Sequence, residues 1–271
     1  MERRVVVTGI GVASSAGIGK EKFWEGLTSG RSFIQRITRF DPTGMKVQIA
    51  SEIDDKDLLP YVPPESQEIA VSAAGVPFAS GPDDRDLATL TQHESMLNLL
   101  KSRYNQALVK NRASLFGNIV AQQALEDSQV ELEAIPLHRR GVLVGTTLGP
   151  SVEAIRLLFM GQKYSNWADV FPGGIARAIS RRYRLQGFCQ TISSGCSAGT
   201  DAIGMAMESI QWGHSDMMLV VGTDACIDPF VVQSFDNIGA LSHCNHDPAH
   251  ASRPFDKDRE DRKSTRLNSS H

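Results

Sequence analysis

The sequence predicts an α/β fold built around a largely parallel, buried sheet. Two observations carry that prediction. Short apolar runs alternate with longer segments of helical character, the arrangement of βα units whose sheet is covered on both faces. Glycines close several of those runs, at Gly9, Gly145 and Gly222.

Taken in order, residues 4–8 read as a first strand because Val5, Val6 and Val7 are successive β-branched residues, with Gly9-Ile10-Gly11 as the turn that ends it. A helix is expected over 20–27. Residues 63–86 contain PPES and GPDD and no sustained periodicity, so an irregular surface excursion is expected there. Residues 105–128 are rich in helix formers, with Leu108, Leu115 and Ile119 at helical spacing, which predicts a core-facing helix. Further strands are expected at 141–145 (GVLVG), 189–193 (CQTIS) and 217–222 (MMLVVG). No internal repeat is present.

The 271 residues, 41% hydrophobic and 22% charged, exclude collagen-like, low-complexity and disulfide-scaffold chains and allow one large domain or two small ones. Twenty-eight basic against 31 acidic residues give a net charge of −3, so neither a nucleic-acid nor a polybasic membrane surface is indicated. Four irregularly spaced cysteines fit neither a disulfide framework nor a paired metal site; reduced thiols and a cytoplasmic location are expected. The apolar run after the N-terminal charges stops at Thr8-Gly9, which is too short for an export signal. No apolar stretch approaches the roughly 20 residues of a membrane span.

The last eleven residues, DRKSTRLNSSH, resemble the translation of a sequencing adapter and are excluded from fold reasoning. Without that stretch, which carries a net +2, the remaining chain has a net charge of −5. Residues 1–260 are then expected to be the first part of a longer natural protein, which sequencing past the codon for Glu260 would test.

One segment stands out for its chemistry. In Ser193-Ser194-Gly195-Cys196-Ser197-Ala198-Gly199, a cysteine lies between a predicted strand and a helix supported by Ala202, Met205, Ala206 and Ile210 on one face. A thiol at a helix N-terminus meets unpaired N–H groups and the macrodipole, which favour the nucleophilic thiolate. The surrounding small residues leave its approach open. A plain buried core cysteine is the competing reading, and it is stronger for Cys189, Cys226 and Cys244, which lack that setting.

At these residues the chain resembles the β-ketoacyl-acyl carrier protein synthases, condensing enzymes of fatty acid and polyketide synthesis with the thiolase fold. The resemblance runs from RRVVVTGIGVASSAGIG through GVLVGTTLG, SSGCSAGTDAIGMAMESIQWGHSDMMLVVGTDACIDP and GALSHCNHDPAHASRPFDKDRE, leaving out residues 63–104, a divergent or inserted segment. It implies the N-terminal half of a mixed, mostly parallel thiolase-like sheet with helices on both faces, whose last strand follows RPFDKDR. It further implies that Cys196 accepts an acyl group from the carrier protein's phosphopantetheine thioester, its own N–H serving as an oxyanion donor. Leu148 and Phe235 fall on positions that line the family's acyl pocket. Where the family usually has Thr-Ala before the cysteine, this chain has Ser194-Gly195, and Thr147 and Pro150 stand at common glycine positions. The implied reaction is a decarboxylative Claisen condensation with malonyl-carrier protein, needing no cofactor or metal. Acyl carrier protein and a second copy of the chain are the implied partners.

The family's two catalytic histidines belong to its second half, and none of His93, His138, His214, His243, His246, His250 and His271 lies in such a motif. The chain as given is therefore expected to be inactive. Two other readings are weaker: a dinucleotide site at Gly9-Ile10-Gly11, where the third glycine position is Ser14, and a non-catalytic half that dimerises or binds carrier protein.

Overall fold

The computed structural model describes residues 3–61, 112–152, 154–155 and 171–259. The expected excursion at 63–86, the divergent or inserted segment at 63–104, residues 105–111 of the expected helix and the tail at 261–271 lie outside the described residues. In chain order the first elements are β1 (Ala13–Ser14), β2 (Gly17–Ile18), α1 (Lys20–Thr28), β3 (Ile34–Arg36), β4 (Ile49–Ser51) and the short α2 (Asp55–Leu58). They are followed by α3 (Arg112–Ser128), β5 (Arg140–Gly145), α4 (Gly173–Tyr183), β6 (Cys189–Ile192), α5 (Ala198–Gln211), β7 (Met217–Gly222) and α6 (Pro229–Asn237).

The sheet order is β6-β5-β7, with both outer strands parallel to β5. All six residues of β5 are buried. Because strand side chains alternate, Val142 and Val144 join Leu219 and Val221 on one face, against Ala113 and Ala121 of α3 and Ile175 and Ile179 of α4. Leu143 faces the other way and packs with Ala202 and Ala206 of α5. Helices thus cover both faces, and strands that bury both sides read as unbroken apolar runs rather than as an alternation.

The buried stripe of α5 is Ala198, Ala202, Ala206 and Ser209. Met205, expected on the core face, is 37% exposed, and Ile210 is only half-buried. The reason is distance. The helix runs so close to the sheet that a Cβ on Gly145 would lie 2.4 Å from the Ala198 carbonyl oxygen, so only small side chains fit between them.

Residues 4–8 correct the sequence expectation. They form no strand among the described residues, and Val6 and Val7 are 62% and 82% exposed. A β-branched run becomes a strand only when a neighbour supplies its ladder. This segment is held instead by α3, where the Ile10 N–H donates to Asp127 (3.0 Å) and the Val12 N–H to Gln123 (2.8 Å). Gly9 and Gly11 are explained by the same contact: a Cβ at either would lie 2.1 Å from a carbonyl oxygen of α3. These glycines serve helix packing, which removes the structural basis for the dinucleotide reading.

The antiparallel pair β3–β4 leads into a smaller core. Ile37, Phe40, Met45 and Val47 pack on Val232 of α6, while Ile49 packs with Cys244 and Ala251. The start of α3 is pinned to residues 52–55 by buried charges. Arg112 and Arg39 both pair with Asp55, and Glu52 accepts from the Thr38 N–H and hydroxyl. Burial, with the nearby Arg39 charge, pushes the Arg112 guanidinium down to about 9.

Candidate active site

Parallel strands end on the same side of their sheet, and loops there are the usual place for chemistry in open α/β folds. Gly145 of β5 is in register with Ile192 of β6 and Gly222 of β7, so the segments after these three residues converge. After β6 the chain passes Ser193 and Ser194, makes one 3₁₀ turn over Gly195–Ser197, and enters α5. Gly195 has φ +80°, while a Cβ there would meet nothing within 4 Å. The backbone conformation, not space, calls for glycine. Cys196 is therefore an exposed thiol carried in the turn that opens a fourteen-residue helix. The N–H groups and positive dipole end of that helix begin at Ala198, two residues after Cys196. Ser194 and Ser197 donate their hydroxyls to Asp201 in the first turns of α5, which ties the turn to the helix it precedes.

A second loop, residues 146–149, stands beside this turn. The Thr146 N–H donates to the Ile192 carbonyl (3.0 Å) and the Ser193 hydroxyl to the Thr147 carbonyl (3.0 Å). The loop is gathered around Asp224, in the segment that follows β7. Asp224 Oδ1 accepts from Thr146 Oγ1 (3.0 Å), Leu148 N (2.9 Å) and Gly149 N (2.9 Å), and Oδ2 accepts from Thr147 N (2.7 Å). Leu148, half-buried, is thus carried on a loop bonded directly to the segment that leads into Cys196. Phe235 lies half-buried on α6, whose N-terminus is capped by Asp228 accepting from the Phe230 N–H (2.9 Å).

The other cysteines have different surroundings. Burial, then the Asp224 and Asp228 carboxylates, push the Cys226 thiol up to about 12, so it stays protonated at neutral pH. Burial also raises the Cys189 thiol. Cys244 is a core residue, 3.8 Å from His246 Nε2. His138 and His214 lie ahead of β5 and β7, at the opposite end of the strands from Cys196. His243 pairs with Asp236 (2.7 Å) and His250 with Asp247 (3.0 Å). No cluster of three metal-ligating residues occurs among the described residues. Asp224 escaped sequence reasoning because its partners lie 75–78 residues earlier, whereas Asp201, bonded to Ser194 and Ser197 of the cysteine segment, could have been found from its spacing of seven and four residues.

Residues 2–73 and 99–260 match the family described as Beta-ketoacyl synthase, N-terminal domain. The chain is 32% identical over 272 residues to the tetracenomycin polyketide synthase ketoacyl synthase alpha subunit of Streptomyces glaucescens, covering 96% of this chain and 54% of that protein. The ishigamide ketosynthase/chain length factor structure matches with a TM-score of 0.67 and 25% identity, over 96% of this chain and 55% of that one. A type II polyketide acyl-carrier protein in complex with its ketosynthase bound to the hexaketide matches with a TM-score of 0.63 and 24% identity, over 90% and 50% of the two chains. The chain spans about half the length of the curated relatives it matches. No helix among the described residues is long and apolar enough to cross a membrane. With its thiolase-like half-sheet and a cysteine turn at the carboxyl ends of the strands, the chain belongs to the β-ketoacyl synthase family.

Proposed function

We propose that Cys196 is the acyl acceptor of a β-ketoacyl-acyl carrier protein synthase working in polyketide or fatty acid synthesis. The observation that carries this reading is the exposed thiol in the turn that opens α5, beside a loop held by its own carboxylate. The Cys196 thiolate attacks the thioester carbonyl of an acyl-carrier protein. A new S–C bond forms, the bond between the acyl carbon and the phosphopantetheine sulfur breaks, and the carrier leaves as a thiolate that takes up the proton Cys196 gave up on ionising. The Cys196 N–H, at the head of α5, donates to the oxyanion as it develops. Malonyl-carrier protein then loses carbon dioxide, and its carbanion attacks the acyl carbonyl, releasing β-ketoacyl-carrier protein and restoring the thiolate.

The histidines that support decarboxylation are those the family resemblance assigns to its second half, so condensation is assigned to the longer protein and acyl transfer to these residues. Leu148 and Phe235 line the acyl pocket in this reading. A second copy of the chain is the proposed partner, and β6, an edge strand among the described residues with Phe188 43% exposed beside it, is a surface that supports pairing. Free thiols throughout fit a reducing cytoplasm.

The test is acyl transfer from acyl-N-acetylcysteamine thioesters to the full-length polypeptide, located by peptide mass. Cys196 is expected to carry the acyl group and Cys196→Ala to abolish it. Acylation at Cys189 or Cys226, or none at all, would sink the assignment.

A further inference from the structure

We infer that Asp224 is a positioning residue for acyl transfer, its carboxylate filling a nest of backbone N–H groups from Thr147, Leu148 and Gly149 and so fixing the loop beside the Cys196 turn. The inference rests on the reading of Cys196 as acyl acceptor.

Three successive N–H groups aimed at one point form an anion site, and here the protein fills it with a carboxylate of its own at 2.7–2.9 Å. The Thr146 hydroxyl adds a fourth donor at 3.0 Å. The two oxygens of one carboxylate accept from all four donors. A carboxamide keeps one oxygen and turns an N–H₂ donor toward donors. The clamp also reaches across the fold. Asp224 follows β7, the loop follows β5, and the Ser193–Thr147 bond (3.0 Å) carries the loop's position to the chain three residues before the nucleophile. Gly149, at φ +51°, permits the turn that brings its N–H round to the carboxylate. Leu148 is inside the clamped segment, so the same carboxylate fixes where a side chain that meets the acyl group stands.

The experiment uses the full-length polypeptide with Asp224→Gly and Asp224→Asn, acyl-N-acetylcysteamine thioesters of graded chain length, and formate as a replacement anion. Wild type should acylate at Cys196. Asp224→Gly should acylate about 10- to 100-fold more slowly at saturating thioester, the scale of loss when a positioning group is displaced, and lose its discrimination between chain lengths. Formate should restore rate and discrimination in Asp224→Gly, but not in Asp224→Asn, whose side chain still occupies the nest. Alkylation of Cys196 by iodoacetamide, which needs no held acyl chain, should stay close to wild type, whereas a general loss of structure would change it too.

Wild-type acylation by Asp224→Gly, or a loss in the folded protein that formate leaves untouched, would overturn the inference. If Asp224→Gly does not fold, Thr146→Val removes one donor alone. A slower, less discriminating acylation then supports the clamp, and unchanged acylation rejects it. Failure of wild type to acylate at Cys196 would instead strike the underlying reading.

Discussion

Each end of β7 has an aspartate beside it, and the two are held in opposite ways. At the amino end Asp216 pairs with Arg139 (2.6 Å) and Arg3 (2.9 Å), all partly exposed. At the carboxyl end Asp224 is held by backbone N–H groups of a loop that is itself bonded to Ser193, in the segment that leads into the Cys196 turn. Long cationic side chains in water lose rotamer freedom to hold such a pair, and salt screens it. Backbone donors have little freedom left to lose once the loop is closed. The rigid clamp stands beside the Cys196 turn, and the pliable one at the opposite end of the same strand.

The largest effect should come from the scaffold both ends share. Leu143→Ala, at a fully buried position between β5 and α5, should cost about 2–5 kcal/mol, read as a lower urea midpoint at unchanged slope. A loss below about 1 kcal/mol would mean that the α5 face is not a packed layer. Next is Gly145→Ala, which drives a Cβ into the Ala198 carbonyl. It should cost about 1–3 kcal/mol through overpacking, and it should slow Cys196 acylation because the start of α5 must move. Retention of both stability and rate would contradict the close approach of helix to strand.

The smallest effect belongs to the amino end. Arg139, then Arg3, hold the Asp216 carboxyl down at about 2, below the ordinary 3.8. A depressed acid contributes stability above its unfolded value and loses it as pH falls through the folded one. Asp216→Asn should therefore be slightly less stable than wild type at neutral pH, with the gap closing between pH 4 and pH 2 and shrinking in high salt. Denaturant titrations across that range check it, and a gap that stays open at pH 2 would refute the pairing.

β5 and β7 were legible as continuous apolar runs and α5 from Ala202 and Ala206 recurring on one face, whereas β6, whose Cys189 and Gln190 are exposed, has no such buried run. Cys196 was legible because a cysteine among Ser and Gly between strand and helix is a local pattern. The Met205 error arose because periodicity reports which positions share a face, not how near the sheet comes. The strand expected at 4–8 failed because a ladder needs a neighbour that no local run specifies. Asp224 was invisible for a related reason: its partners are main-chain N–H groups 75–77 residues earlier, and main chain carries no letter. Leu148 and Phe235 were reached only through family resemblance.

The seating of Gly9 and Gly11 on α3 bears on the order in which the molecule can be assembled. The bond from Val12 to Gln123 spans 111 residues. At the roughly 5–20 residues per second of translation, Ile10 and Val12 wait on the order of ten seconds for the helix whose side chains accept their N–H groups. For that interval water is the partner of both donors, and the first segment of the chain takes its place only after the helix that seats it has been made.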